Sequence, residues 1–246
     1  MQRLFSLIGY PLSHSFSKEY FTEKFKKEGI IDSSYELYPL AHITQFPELL
    51  ATQPELVGLN VTIPYKEAVI PFLDELEEEA KSIGAVNTIT IRNGKTKGYN
   101  TDAYGFEMSF KKHLQPHHQK ALVLGTGGAS KAVLYVLRKL NIPFLLVSRN
   151  TAVDRISYGD ITPELLSEYS IIINTSPLGM YPATEACPAL PYSALSPDHY
   201  LYDLIYNPSV TTFLQKGKEA GATTVNGLEM LHLQAEKAWE IWNKPE

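Results

Sequence analysis

The amino-acid sequence predicts an α/β protein of two domains. Three observations carry that reading. Short apolar strand segments alternate with helical ones along the chain, and a polar stretch, QPHHQK (residues 115–120), breaks the pattern near the middle. Immediately after the break, a strand runs into a glycine-rich turn and an amphipathic helix. With 246 residues, 44% of them hydrophobic and 20% charged, the chain has material for two modest cores.

The elements follow in order. RLFSLIG (Arg3 to Gly9) reads as a strand, and Ser17 to Lys27 as a helix that Gly29 ends. SYELYPL (Ser34 to Leu40) and LVGLNVT (Leu56 to Thr62) read as strands, and a charged helix is predicted around Asp74 to Ser82. AVNTITI and KTKGYN flank Asn93-Gly94, a dipeptide suited to the tight turn of a β-hairpin. Ala103 to Leu114 reads as a helix, and residues 115–120 as a linker. The second half opens on ALVLG (Ala121 to Gly125), apolar on both faces as buried parallel strands are. In the next helix Ala129, Ala132, Val133, Val136, Leu137 and Leu140 share one face. FLLVS, IIIN, YLYDLIY and ATTVN supply four more strands, which predicts a parallel sheet covered on both sides. The last helix, Leu228 to Trp242, can pack back onto the first half.

Composition excludes several classes. A net charge of −5 argues against a general nucleic-acid binder, which needs clustered Lys and Arg. No apolar run reaches the ~20 residues of a membrane-spanning helix. The start, MQRLFSLIGYPLSHS, lacks the features of a signal peptide. The single cysteine, Cys187, forms no internal disulfide, so a reducing cytoplasm is the expected compartment.

The most specific local signal is ALVLGTGGASKAVLYVL. Gly125, Thr126, Gly127, Gly128 and Ala129 lie between a strand and a helix, where backbone can approach a pyrophosphate and free helix amides face its charge. Ser130 replaces the third glycine of the usual G-x-G-x-x-G pattern. At the end of the next strand, where an NAD enzyme places an acid, stand Ser148, Arg149 and Asn150, with no carboxylate before Asp154. Arg149 suits a 2′-phosphate, so NADP is the expected cofactor.

Four polar clusters interrupt or end the strands of the first half: residues 13–17, 60–66, 85–88 and 100–102. Ligands of open α/β sheets bind beyond the carboxyl ends of strands. Each cluster is expected at such an end. Their hydroxyls, carboxamides, one ammonium and one carboxylate suit a polyol with one acid group.

In order, SLIGYPLSHSFS, NVTIPYK, GAVNT, GYNTD, GTGGASKA, NTSPLGM, DLIYNP and NGLEMLHLQA cover nearly the whole chain, from Ile8 to Gln234. This series resembles the shikimate dehydrogenase family. The resemblance implies a substrate-binding catalytic α/β domain from residues 1–102 and 228–246, and a Rossmann-type doubly wound NADP-binding domain from 103–227. Implied activity is the NADPH-dependent, reversible reduction of 3-dehydroshikimate to shikimate in chorismate and aromatic amino-acid biosynthesis, by a monomer or homodimer. Carried over by position, Ser15 and Ser17 hold the substrate carboxylate with Tyr206. Asn60, Thr62, Asn87 and Gln234 position ring hydroxyls, and Lys66 and Asp102 form the catalytic pair. Thr175 and Gly227 join the glycine turn, Ser148 and Arg149 at the cofactor. Two departures stand out: Lys18 where the family often has proline, and Ser148-Arg149-Asn150 where it usually has Asn-Arg-Thr.

Plainer roles compete for single residues. Asn60 and Asn87 suit turns, Asp102 a helix N-cap, and Ser15 or Ser17 the cap of the first helix. His113, His117 and His118 read as a solvated linker rather than a metal site, and no metal is expected. His14 reads as structural. The run from Glu75 to Glu79 reads as an exposed helix face. Two other functions share these motifs: a paralogue acting on quinate or a related ring acid, and a non-catalytic nucleotide sensor. Presence of both Lys66 and Asp102 disfavours the sensor.

Overall fold

The computed structural model describes residues 2–12 and 15–245, so the expectation for His14 lies outside the described residues. The chain divides into two compact units, Met1–Thr101 with Ala235–Glu246, and Asp102–Gln234. Its elements begin with β1 (Arg3–Gly9), α1 (Phe16–Glu28), β2 (Ser33–Pro39), α2 (Phe46–Thr52), β3 (Leu56–Val61), β4 (Glu75–Leu76) and α3 (Glu78–Ile83). Next come β5 (Thr88–Arg92), β6 (Lys95–Tyr99), α4 (Thr101–Phe110), β7 (Ala121–Leu124), α5 (Gly128–Lys139), β8 (Phe144–Ser148) and β9 (Arg155–Ser157). The chain finishes with α6 (Pro163–Glu168), β10 (Ile171–Asn174), β11 (Tyr200–Asp203), α7 (Thr212–Glu219), β12 (Thr223–Val225) and α8 (Leu228–Asn243).

The first unit holds a mixed sheet in the order β2-β1-β3-β5-β6-β4. β1 runs parallel to β2 and β3, whereas β5 is antiparallel to both β3 and β6. Asn93 and Gly94 turn the β5–β6 hairpin at φ of 51° and 74°, the left-handed pair that this dipeptide predicts. Alternation along β1 fills two layers. Leu4 and Ile8 join Phe46 and Leu49 of α2, while Phe5 and Leu7 join Phe21 and Phe25 of α1 and Ala238 and Trp242 of α8. Trp242 donates its indole N–H to the Ile89 carbonyl (3.0 Å), and a Cβ at Gly58 would fall 2.6 Å from its ring.

The acidic run is corrected by the structure. Glu75–Leu76 pairs with β6 as a short parallel strand, and the helix predicted from Asp74 begins only at Glu78. Glu77 caps it, accepting from the amides of Glu79 (2.8 Å) and Ala80 (3.3 Å). Asp74 instead accepts from the Thr96 amide (2.7 Å) and hydroxyl (2.8 Å). Specific partners for the carboxylates, local for Glu77 and on β6 for Asp74, outweigh the charge pattern.

In the second unit all six strands are parallel, in the order β12-β11-β10-β7-β8-β9. Counted from the first strand of the unit this is 6-5-4-1-2-3, the doubly wound arrangement. α5 buries Ala132, Val133, Val136 and Leu137, as its period predicts. Phe110 of α4 stacks on Tyr200 (5.2 Å between ring centres) and Phe106 meets Tyr202 edge-on (5.1 Å). The boundary between units falls inside α8, after Gln234, rather than at its start. A Cβ at Gly105 would lie 2.6 Å from the Met230 carbonyl, so the first turns of α8 press directly on α4.

His118 is not solvated. It is buried, its Nδ1 accepts from the Gln115 amide (3.0 Å), and Nε2 lies 3.2 Å from the Asp198 carbonyl. Burial, first, and the neighbouring His117 lower its pKa. Among the described residues no helix is long and apolar enough to cross a membrane, and no three His, Cys, Asp or Glu side chains group as metal ligands.

Candidate active site

Strand register brings polar clusters of the first unit to one edge of its sheet. β1 and β3 are parallel and both end there, at Gly9 and Val61. β5 is antiparallel, and Thr88 at its start faces both Asn60 and Tyr99. Asn87, just before a strand rather than after one, therefore lies at the same edge as Asn60 and Thr62. Thr101 follows β6 at that edge as well, and Asp102 is the next residue in the chain. Lys66 sits in the turn beyond β3, half-buried, and its carbonyl accepts from the Val86 amide (2.7 Å).

Neither asparagine forms a turn. Both are buried inside a hydrogen-bonded set. The Asn87 carboxamide oxygen accepts from the Thr101 amide (2.7 Å), and its nitrogen donates to the Thr101 hydroxyl (2.9 Å). The Asn60 carboxamide nitrogen donates to the Asn87 carbonyl (3.3 Å) and the Thr88 hydroxyl (3.2 Å). Thr101 rather than Asp102 opens α4, so Asp102 lies buried in its first turn instead of serving as the N-cap. Ser15 does occupy the N-cap of α1, yet its side chain makes no capping bond. Its hydroxyl oxygen is buried with no hydrogen-bond partner among the described residues. A buried hydroxyl without a partner costs free energy that a bound ligand can recover. Lys18, where the family often has proline, sits inside α1 and pairs with Glu36 (2.6 Å).

The glycine turn of the second unit fits a pyrophosphate. Gly125 takes φ of 112°, and a Cβ there would fall 2.9 Å from the Thr175 hydroxyl, so only glycine suits the position. Thr175 donates that hydroxyl to the Leu124 carbonyl (2.9 Å), which holds it against the end of β7. Thr126 and Gly127 are exposed, and a Cβ at Gly127 would meet nothing within 4 Å. Gly127 is the N-cap of the twelve-residue α5, so no side chain caps the first-turn amides beside Gly128 and Ala129. Uncapped amides at a helix start favour an anion. Ser130 turns inward and donates to the Gly127 carbonyl (2.6 Å), which shows how a serine replaces the third glycine.

Arg149 is exposed at the end of β8, where Ser148 donates to the Asn150 carbonyl (2.5 Å). Gly227 packs so closely that a Cβ would lie 2.0 Å from the Leu204 carbonyl oxygen. Tyr206 is half-buried in the loop after β11, and burial raises its pKa. Gln234 donates to the Leu231 carbonyl (2.9 Å) on α8. Tyr206, Gln234 and Asp102 thus belong to the second unit, and Ser15, Ser17, Asn60, Thr62, Lys66 and Asn87 to the first.

Sequence reasoning missed Asp203, fully buried at the end of β11. It accepts from the Asn174 carboxamide (3.0 Å), the Ile205 amide (3.1 Å) and the Thr211 hydroxyl (2.6 Å), and so ties down the loop that carries Tyr206. Burial raises its pKa from 3.8 to about 6 against these bonds. A raised carboxyl pKa stabilises the fold below pH 3.8, and the contribution is lost as pH rises through about 6. The stability of the native protein relative to Asp203→Asn should therefore fall between pH 4 and 7 by on the order of 3 kcal/mol. Urea unfolding at both pH values measures it, and a pH-independent gap would contradict the assignment.

A doubly wound sheet with an uncapped glycine turn in one unit, and in the other a sheet edge carrying carboxamides, hydroxyls and an ammonium, define a dinucleotide-dependent oxidoreductase. The model of the shikimate dehydrogenase substrate-binding domain matches residues 7–89. The NADP(+) shikimate dehydrogenase of Carboxydothermus hydrogenoformans is 40% identical over 258 residues, covering 98% of this chain and 91% of the relative. Among solved structures, shikimate 5-dehydrogenase of Thermus thermophilus, in complex with NADP(H) and shikimate, is 30% identical with a TM-score of 0.87, covering 98% and 94% of the two chains. Quinate dehydrogenase of Corynebacterium glutamicum, in complex with NAD, is 27% identical with a TM-score of 0.86, covering 98% and 94%. The chain belongs to the shikimate dehydrogenase family.

Proposed function

We infer that the protein is an NADP-dependent shikimate dehydrogenase, interconverting 3-dehydroshikimate and shikimate on the route to chorismate and the aromatic amino acids, in the cytoplasm. One observation carries the reading: the register of the first sheet gathers Asn60, Thr62, Asn87 and Lys66 at a single edge, the polar inventory that a ring with hydroxyls and a ketone requires. The first unit is the substrate-binding domain and the second holds the cofactor. NADPH, when bound, supplies the hydride that reaches the C3 carbonyl carbon. Gly125 to Ala129 would hold its pyrophosphate and Ser148 and Arg149 its adenosine 2′-phosphate, with Thr175 and Gly227 completing the site.

The residues of the chain do the rest. Reduction builds negative charge on the C3 oxygen. The Lys66 ammonium stabilises that charge and donates the proton that makes the alcohol. The Asp102 carboxylate pairs with Lys66 at the reacting group and orients it. Ser15 and Ser17 donate hydrogen bonds to the ring carboxylate, with Tyr206 beside them. Asn60, Thr62, Asn87 and Gln234 engage the ring hydroxyls and so fix which carbon faces the hydride donor.

The decisive assay mixes the protein with shikimate and NADP and follows absorbance of the reduced cofactor. Turnover of shikimate well above that of quinate supports the reading, and preference for quinate or no turnover overturns it. Ser15→Ala with Ser17→Ala should raise the Michaelis constant for shikimate about 10- to 100-fold, the worth of hydrogen bonds to a carboxylate, with kcat changed far less. Because Ser15 makes no capping bond, the double variant should stay folded. An unaltered Michaelis constant would place the carboxylate elsewhere.

A further inference from the structure

We propose that Tyr35, in the middle of β2, is a positioning residue for substrate recognition that orients Asn60. The proposal rests on the substrate reading above. Tyr35 is buried, 2% exposed, and lies flat against Phe21 at 4.7 Å between ring centres and 11° between planes. Its hydroxyl lies 2.7 Å from the Asn60 carboxamide oxygen. The direction of this bond follows from the other end of Asn60. A main-chain carbonyl only accepts, so the group facing the Asn87 carbonyl must be the carboxamide nitrogen. The oxygen therefore faces Tyr35, and Tyr35 is the donor.

Two consequences narrow what Asn60 can offer. Both hydrogens of its nitrogen are directed at protein acceptors, the Asn87 carbonyl and the Thr88 hydroxyl. One lone pair of its oxygen is taken by Tyr35. Asn60 therefore meets the ring as an acceptor, through the remaining lone pair of that oxygen, and the ring hydroxyl is the donor. Burial raises the Tyr35 pKa and keeps the phenol protonated as a donor. Loss of the phenol leaves the Asn60 oxygen short of a buried donor and frees the carboxamide from its single orientation.

Steady-state kinetics of Tyr35→Phe, Asn60→Ala and the double variant test this. Tyr35→Phe keeps the ring and its stack on Phe21. It should raise the Michaelis constant for shikimate about tenfold, which corresponds to about 1.4 kcal/mol, and leave kcat and the NADP Michaelis constant within about twofold. On the Asn60→Ala background, Tyr35→Phe should add no further increase, because the partner it orients is gone. A full tenfold increase on that background, or an equal effect on the NADP constant, would make Tyr35 a core residue only and overturn the proposal. An unaltered shikimate constant in the single variant would overturn it as well. Wild-type turnover of shikimate, measured first, separates this outcome from a failure of the substrate reading.

Discussion

Lys66→Ala is expected to leave a folded protein that binds NADPH but turns over shikimate about 10³- to 10⁴-fold more slowly. The size of the effect follows from the two tasks proposed for one ammonium at the C3 oxygen, charge stabilisation and proton donation. Alanine does neither, and water is a poor substitute for a positioned ammonium. The main-chain carbonyl of this residue, which accepts from the Val86 amide at 2.7 Å, is kept in alanine. Circular dichroism and an NADPH fluorescence titration establish folding and binding, and single-turnover absorbance measures the chemical step. Turnover within tenfold of wild type would remove Lys66 from the reacting oxygen.

Arg149→Ala should weaken NADPH binding about 10- to 100-fold while NADH changes within about twofold. A phosphate held by charge-assisted, bidentate contacts loses most when the guanidinium goes, and a ribose without that phosphate loses little. The surroundings support this selectivity. Asp154, the first acid after β8, is gripped by Arg155 through two contacts of 2.8 and 2.9 Å, so its carboxylate is engaged rather than turned to the ribose hydroxyls as an NAD anchor. Arg149 itself is exposed, so its removal should leave stability unchanged and act on binding alone. Titration of both reduced cofactors against both proteins gives the comparison. Equal losses for NADPH and NADH would remove the argument from the 2′-phosphate.

Much of the fold was legible because its signals are local. Strand β1 matches RLFSLIG residue for residue, Gly29 ends α1 at φ of 66°, and Asn93-Gly94 turns the hairpin. The helix after the glycine turn buries the face its period predicts. Where the reading failed, a polar group had found a specific partner, either close by or far along the chain. Glu77 became a cap and Glu75 joined a strand, so a run of acids was not a helix face. His118 lies in a polar stretch but accepts from Gln115 and reaches Asp198, 80 residues away. Asn60 and Asn87 resemble turn residues by type, yet they are held 27 residues apart in one buried network.

By itself the sequence determined the α/β class, the glycine turn between strand and helix at Gly125 to Ala129, the set of polar residue types and the family whose motifs they follow. Each of these is written in short segments, where steric preference and hydrophobic period act between near neighbours. Tertiary structure alone decided which polar groups are buried and what they face: Asn87 opposite Asn60 through an antiparallel strand, Tyr35 as donor to Asn60, Asp203 beneath the Tyr206 loop, and a Ser15 hydroxyl without a partner among the described residues. Burial and pairing depend on strands and helices meeting across long stretches of chain, and a buried polar group is tolerated only where such a meeting supplies its partner.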